Sequence, residues 1–525
     1  MSLSISEVGL IKGLLRSGKV SQQQIIAAFS FPDRTVNHNV VSEISRGIRY
    51  GDDVAFPPAS EDECDAFLNF LSWYPVWQPD WWLWQYNQIS GPFSFSYSYH
   101  PVGQGLFCSG FFTRRHRPPF RWVFDCGTER GRSDTVRGDY VRREIAALAE
   151  QQSESGNHPH LNLVALSHFD EDHLSGMVDL LRTFSVGTLI LPYLPPWDRL
   201  VVALDEGASA NSDLLSFLLA PTAFLSGIEG SEIDRILLVP PSGEEPALPP
   251  ALPPDGTDPD ETREGVFDEE TKKEPPPEED EDGLGDPGLA SENVYILPRG
   301  AAITVGRAWE FVPYNDASLA GLATPAFKSD ARDLAKQLVE ADTDAGRETA
   351  LTGLINIYDK QFKTPGSPKI SAERRNKISL FLYSGPIGNV QLTFVAEEVL
   401  RHRLDPARMA MPVELLGQAR FGQMFTGDGY LETRQQWSDF HTFYAAHDRL
   451  RRGAIFQVMH HGSDNNWHAG VAAKIQPFAS LFCSDPAGKH HHPSEEVLED
   501  FAPYNPKQID AFHGWTLSGT YRFVQ

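Results

Sequence analysis

Seven residues, Leu161 to Ser167 (Leu-Asn-Leu-Val-Ala-Leu-Ser), form a short apolar run, and the six that follow read His168-Phe169-Asp170-Glu171-Asp172-His173. An apolar run of this length bounded by polar residues is a strand, and Leu174-Ser175-Gly176 opens a helix after it. Extended geometry places residues 168, 170 and 172 on one side, and the turn brings His173 round to them. Imidazoles and carboxylates are the ligands that Zn²⁺ or Mn²⁺ take. A lone histidine or aspartate at such a place is more often a surface or capping residue. Four of them in six positions at the end of one strand call for a cation.

Two later segments supply what a dinuclear site still lacks. Phe425-Thr426-Gly427-Asp428-Gly429 follows a strand, and the glycines flanking the acid suit close approach of backbone to a metal. Ala454 to Met459 reads as another strand, ending in His460-His461-Gly462-Ser463. Adjacent histidines at a strand end point in different directions, so one of the pair binds metal and the other supports it. The metal set is therefore His168, Asp170, Asp172, His173, Asp428 and His461.

The order of these motifs resembles the metallo-β-lactamase superfamily, and within it the soluble hydrolase domain of ComEC-type DNA-uptake proteins. Val102-Gly103-Gln104-Gly105, Asp125-Cys126-Gly127, Asn376-Lys377-Ile378-Ser379, His492-Pro493 and the closing strand Thr516 to Gly519 carry the resemblance, beside the histidine and aspartate motifs above. The resemblance implies an α/β fold, an αββα sandwich spanning residues 93–525, with two divalent ions, Zn or Mn, in its site. One ion would be held by His168 and Asp170 and the other by Asp172, His173 and His461, with Asp428 bridging. The nucleophile would be a metal-bound hydroxide. Asp172 and His492 are then the catalytic candidates, and Asn376, Ser379, His460, Ser463 and Thr516 the candidates for supporting the ligands or holding substrate. Asp170 stands where the family has a second histidine, which hardens the first position and favours Mn²⁺. The membrane channel of DNA-uptake proteins has no counterpart here, so only the hydrolase chemistry carries over.

Outside that domain, residues 1–55 read as a small helical unit. Leu10, Ile11, Leu14 and Leu15 recur at helical spacing, Ser21 caps a second helix, and Val40 to Ile44 suggest a third. Lys12, Arg16, Lys19, Arg34, Arg46 and Arg49 outnumber the acids of the first 50 residues, which leaves two readings open. The unit is a helix-turn-helix for nucleic acid, or a bundle that docks a protein partner. Residues 56–92 form a connector with five of the eleven tryptophans, Trp73, Trp77, Trp81, Trp82 and Trp84, read as an anchor onto the main core rather than a base-stacking platform.

The net charge of −26 is uneven. Residues Pro240 to Gly288 hold 17 acids against Arg263, Lys272 and Lys273, a balance of −14 that leaves −12 for the rest. This Pro-rich stretch, 240–290, reads as a disordered insert, and 320–370 as a helical one. Four scattered cysteines fit neither a zinc knuckle nor a disulfide framework and read as buried thiols. Neither a signal peptide nor a membrane span is legible, so a cytoplasmic location and no membrane partner are expected. The functional expectation is a phosphodiesterase or nuclease acting on nucleic acid or a nucleotide. The alternatives are an esterase or lactonase on the same site, and a weakly active sensor or scaffold of a bacterial defence system.

Overall fold

The computed structural model of the chain describes residues 3, 5–29, 36–61, 63–65, 68, 93–114, 118–129, 134–153, 158–205, 208–209, 212–242, 245–250, 286–306, 308–316, 324–362, 379–387, 390–401, 407–410, 420–488 and 490–523. The tryptophan cluster at 73–86 and Asn376 lie outside them. The chain divides into two compact units, residues 1–94 with 520–525, and residues 95–519.

In the first unit, helices Ile5–Ser17, Gln22–Phe29 and His38–Ser45 bury Ile11, Leu14, Ile25, Phe29, Val41 and Ile44 against one another. Ser21 caps the second helix: its hydroxyl accepts from Gln24 N at 3.3 Å, and the Gln24 side-chain Oε1 accepts from Ser21 N at 2.9 Å. The bundle takes in chain beyond residue 55. A Cβ on Gly13 would meet Ala59 O and Cys64 Sγ, each at 2.6 Å, and Cys64 is part of the buried core. That continuation brings acids. Lys12 and Arg16 pair with Asp53, at 2.8 and 2.7 Å, Lys19 with Asp65 and Glu61, at 2.7 and 2.9 Å, and Arg49 with Glu43 at 3.2 Å. Residues 1–68 as a whole carry six Lys and Arg against nine Asp and Glu. The local basic excess is neutralised within the unit itself.

The second unit is mixed α/β, built on two sheets. Strands β1 (Phe93–Tyr99), β2 (Phe107–Phe112), β3 (Phe120–Cys126), β4 (His160–Ala165), β5 (Ser185–Pro192), β6 (Glu232–Val239), β7 (Val294–Ile296), β8 (Ile303–Val305), β9 (Trp309–Asn315), β10 (Leu380–Pro386), β11 (Val390–Arg401), β12 (Ala407–Ala410), β13 (Gly422–Phe425), β14 (Gly453–Gln457), β15 (Ala479–Cys483), β16 (Pro506–Ile509) and β17 (His513–Phe523) follow one another along the chain. One sheet has the order β12-β11-β17-β1-β2-β3-β4-β5-β6-β7 and the other β16-β15-β14-β13-β10-β9-β8. β3 through β7 run parallel, as do β13 through β16.

Alternation along the strands decides which layer each face meets. In β3, Val123 packs with the helical residues Val141, Ile145, Met177 and Leu180, while Phe124 stacks on Phe425 of the other sheet, ring centroids 4.3 Å apart. In β10, Phe381 and Tyr383 pack with Phe440, Phe443 and Tyr444 of helix Arg434–Ala445. Between the sheets, Phe112 stacks on Trp309 at 4.8 Å and Phe95 on Phe421 at 4.7 Å. These rings bind the two sheets into one body.

The described parts of both inserts are packed against the rest of the unit. Residues 251–285 lie outside the described part, but the flanks of the acidic stretch are packed. Ser242 exchanges hydrogen bonds with Asn315, and Leu248 O accepts from Arg449 at 2.9 Å. Asp286 caps Thr222 N and Ala223 N at 2.6 and 3.2 Å. The second insert is a pair of helices, Pro325–Glu340 and Asp344–Phe362, that bury Phe327, Ala331, Leu351 and Leu354 in the main core. All four cysteines are buried free thiols. Among the described residues, no helix is long and apolar enough to cross a membrane.

Candidate metal centre

Parallel strands deliver their following residues to one end of a sheet. Here β3 and β4 of one sheet and β13, β14 and β15 of the other end at the same place. The segment after β4 is not extended: Asp172 and His173 sit on a single helical turn, Glu171–Leu174. The side-by-side placement expected from strand alternation is reached instead through that turn. Its backbone is held from below. Leu106 N donates to Asp172 O at 3.2 Å, and a Cβ on Gly105, whose φ is +145°, would meet that oxygen at 2.6 Å. Only a residue without a side chain fits there.

Asp428 follows β13 in a turn shaped by Gly427 at φ +50°, where a Cβ would strike Ser379 Oγ at 2.4 Å. Ser379 Oγ in turn accepts from Asp428 N at 2.8 Å. After β14 the chain makes a tight 3₁₀ turn, Met459–Gly462, with His460 at φ +43° and His461 at φ +58°. Left-handed backbone is costly for a β-carbon residue, and it gathers where function over-determines it. Asp125 and His491 share this conformation nearby, at φ +53° and +54°.

The side chains converge in two groups, whose ligand atoms all lie within 4.8 Å of one another. One is Asp172, His173, Asp428 and His461; the other is His168, Asp170 and Asp172. Asp172 is thus the carboxylate common to both, a place the resemblance assigns to Asp428. Asp428 nonetheless faces imidazoles on both of its oxygens. Oδ1 lies 3.2 Å from His173 Nε2 and 3.6 Å from His461 Nε2, and Oδ2 lies 3.7 Å from His168 Nε2 and 3.4 Å from His460 Nε2.

Each imidazole is oriented through its other nitrogen. His173 Nδ1 meets Asp125 Oδ2 at 2.7 Å, His168 Nδ1 meets Ser167 Oγ at 2.8 Å, and His461 Nδ1 donates to the carbonyl of Cys483. Asp125, wholly buried, also accepts from Ser167 N and Oγ at 2.6 and 2.7 Å. His460 Nδ1 is held by Asn466 Oδ1 at 2.8 Å, and Asn466 Nδ2 donates to Asp428 O at 2.8 Å. Gln457 completes the frame, its side-chain Oε1 accepting from Thr426 N and Gly427 N at 2.8 and 2.7 Å. This pattern turns every Nε2 inward, as metal-ligating histidines require.

The residues fit a cation on observations of their own. His168 Nε2 and His173 Nε2 are buried without a hydrogen bond. Donor atoms this close are near the spacing that ligands at about 2.0–2.2 Å from one ion leave. The electrostatics agree. Burial pulls His173 and His461 toward neutrality, yet the carboxylates of Asp428 and Asp172 outweigh it and hold both above the ordinary histidine value. Burial would likewise raise Asp172 and Asp428, but the surrounding imidazoles keep both carboxyls low. Burial, with His173 beside it, pushes His168 down to about 3, so it stays neutral, as a ligand must. Burial raises Asp125. Protons drawn onto imidazoles by buried carboxylates mark a place where positive charge is wanted.

The remaining candidates are placed differently. Ser463 Oγ accepts from Asn465 N at 3.3 Å and caps a 3₁₀ turn, and Thr516 Oγ1 is 3.0 Å from Ser98 Oγ, a link between β17 and β1. Both hydroxyls have structural partners. His492 stands beside His460, ring centroids 5.8 Å apart. Asp125, Gln457 and Asn466 have no role in the sequence reading. A sharp aspartate-glycine turn was the only local sign of the first, and the other two carry none. The chain matches no family model, and a search of characterised proteins finds no relative.

Proposed function

We propose that this protein is a metal-dependent hydrolase of the metallo-β-lactamase fold, related to the hydrolase domain of ComEC-type proteins, and that it cleaves phosphodiesters in nucleic acid or nucleotides. The observation that carries the reading is the convergence of His168 Nε2 and His173 Nε2, buried and without hydrogen bonds, on a carboxylate that His460 and His461 also face. Trp122 Nε1 and Arg449 NH1 are also buried without a hydrogen bond, so what points to a cation is that the two imidazole nitrogens gather with carboxylates at ligand spacing.

In this reading His168, Asp170 and Asp172 hold one divalent ion, and Asp172, His173, Asp428 and His461 the other. Bound there, Zn²⁺ or Mn²⁺ makes a water acidic enough to attack near neutral pH and offsets charge building on the substrate's oxygens. The protein's own residues do the positioning. Asp125 and Ser167 fix the ring planes of His173 and His168, Ser379 and Gln457 fix the turn that presents Asp428, and Cys483 O fixes His461. Asp172, 20% exposed, is the ligand carboxylate best placed to orient an incoming nucleophile.

The test pairs elemental analysis with a substrate panel: bis-(p-nitrophenyl) phosphate, single-stranded DNA and RNA and cyclic dinucleotides, beside aryl esters and lactones, with Mn²⁺ or Zn²⁺. Phosphodiester turnover is expected, falling by roughly 100-fold or more in Asp172→Ala together with loss of bound metal. Turnover of esters or lactones alone would reject the phosphodiester assignment. Absence of metal and of all turnover would reject the hydrolase.

A further inference from the structure

We propose that Arg420, Arg452 and the hydroxyl of Tyr383 form a second ligand site, for a phosphate group, at the end of the second sheet away from the metal centre. The site goes beyond the hydrolase reading and does not depend on it.

β13, β14 and β15 run parallel, so their first residues gather at one end of the sheet as the metal ligands after them gather at the other. The five residues of β14 span about 15 Å, which sets the two ends apart. Arg420 lies two residues before β13 and Arg452 immediately before β14, and the pairing of Gly422 with Gly453 brings the two beginnings side by side. Tyr383 of β10 reaches the same place from the neighbouring strand. A Cβ on Gly422 would meet Tyr383 Oη at 3.1 Å and Arg452 O at 3.2 Å, and one on Gly385 would meet Tyr383 Oη at 2.3 Å. Glycine at both positions leaves the room that the tyrosine fills.

Three polar atoms at this end lack partners. Tyr383 Oη, Arg420 Nε and Arg452 Nε are all buried without a hydrogen bond. Arg420 NH2 donates to Gln476 O at 2.6 Å, which fixes the side chain and leaves its Nε over. The charges are unbalanced in the same sense. Glu310 is taken by Arg449 and Asp448 by Arg451, whereas Arg420 and Arg452 have no ion pair among the described residues. Burial raises the Tyr383 hydroxyl, Glu310 adds to the effect, and Arg452 and Arg449 oppose it, so these guanidiniums stand close to it. Burial, with Arg451 nearby, lowers Arg420. Leftover N–H groups on guanidiniums ask for acceptor oxygens, and their charge asks that the acceptor be an anion. A carboxylate offers two oxygens in one plane. A phosphate offers oxygens in several directions, which suits donors drawn from three strands.

The experiment titrates inorganic phosphate by calorimetry, at low salt, into the full chain stripped of metal by a chelator. Acetate and a short single-stranded oligonucleotide form parallel arms. Phosphate should bind the stripped chain, more weakly as salt rises. Arg420→Gln and Arg452→Gln should each weaken it roughly tenfold, with melting curves to show that the variants fold. Tyr383→Phe removes only an atom without a partner, so it keeps the fold, and it should weaken phosphate about fivefold. An oligonucleotide that binds more tightly than phosphate assigns the site to a nucleic-acid backbone; one that binds more weakly assigns it to a free phosphate or a small ester. No binding of either to the stripped chain would overturn the proposal, as would phosphate affinity unchanged in Tyr383→Phe or in the folded arginine variants. Acetate bound as tightly as phosphate, or phosphate bound only once zinc is restored, would overturn it too. The metal-free chain is read without turnover, so this test and that of the hydrolase can fail separately.

Discussion

Two clusters of buried charge lie in the same unit and behave as opposites. Arg449 and Glu310, both buried, meet in a two-pronged pair: Arg449 Nε donates to Glu310 Oε1 at 3.0 Å and Arg449 NH2 to Oε2 at 2.8 Å. The pair is neutral in itself, and a second bond from NH2 to Leu248 O anchors a flank of the acidic insert. The histidine–aspartate cluster is buried too at His168, His173, Asp428 and His461, but there a carboxylate meets imidazoles, and two of the ring nitrogens have no hydrogen bond. One cluster sets a single guanidinium against a single carboxylate; the other gathers four imidazoles round the Asp428 carboxylate. Burial alone therefore does not mark a functional site. What distinguishes the second cluster is that its imidazole and carboxylate atoms lie close enough together to hold a metal ion.

Three measurements bear on that contrast. The largest effect on stability belongs to the arginine–glutamate pair. Arg449→Met strands the Glu310 carboxylate in the core and should cost about 3–5 kcal/mol. The double change with Glu310→Leu should recover most of it, with metal content unaltered throughout. A variant whose metal falls along with its melting temperature would mean the two clusters are coupled after all.

At the histidine–aspartate cluster the corresponding change is subtler. Asp125→Asn keeps the shape but weakens the grip on His173 Nδ1, and metal affinity should fall roughly 10–100-fold while the fold survives. Competition with a chelator reads this directly. An unchanged affinity would show that Asp125 is a packing residue and that His173 needs no orienting partner.

The smallest effect separates the clusters by pH. His173 and His461 titrate above the ordinary 6.5 in the folded chain, so the stability they contribute is complete below that value and is lost as pH rises through the raised ones. The depressed groups act elsewhere. His168 loses its contribution as pH falls from 6.5 toward about 3, and Asp172 and Asp428 lose theirs below the ordinary 3.8. Metal-stripped protein should therefore melt a few degrees lower as pH is raised from 6.5 to about 9. Metal-saturated protein should not, because the cation replaces the protons. Parallel pH profiles for the stripped and loaded forms would remove the distinction.

Much of this was legible without coordinates, and the division has a physical cause. Periodicity and adjacency are local, so β1 with its alternating rings, β4 and the ligands after it, the turn at Asp428, the paired histidines after β14 and the helical character of the second insert could all be read from neighbouring residues. Other features depend on contacts between residues far apart in the chain, which leave no spacing to read. Asp125 meets His173 from 48 residues away, and Asn466 holds Asp428 from 38. The same holds for the bundle, where the basic excess of the first 50 residues lost its meaning once Asp53, Glu61 and Asp65 folded back onto it. The residue types at the strand ends determined that this chain gathers donors for a cation. The packing of the two sheets, which brings residues from distant strand ends together, decided which carboxylate both groups share and which histidine nitrogens turn inward.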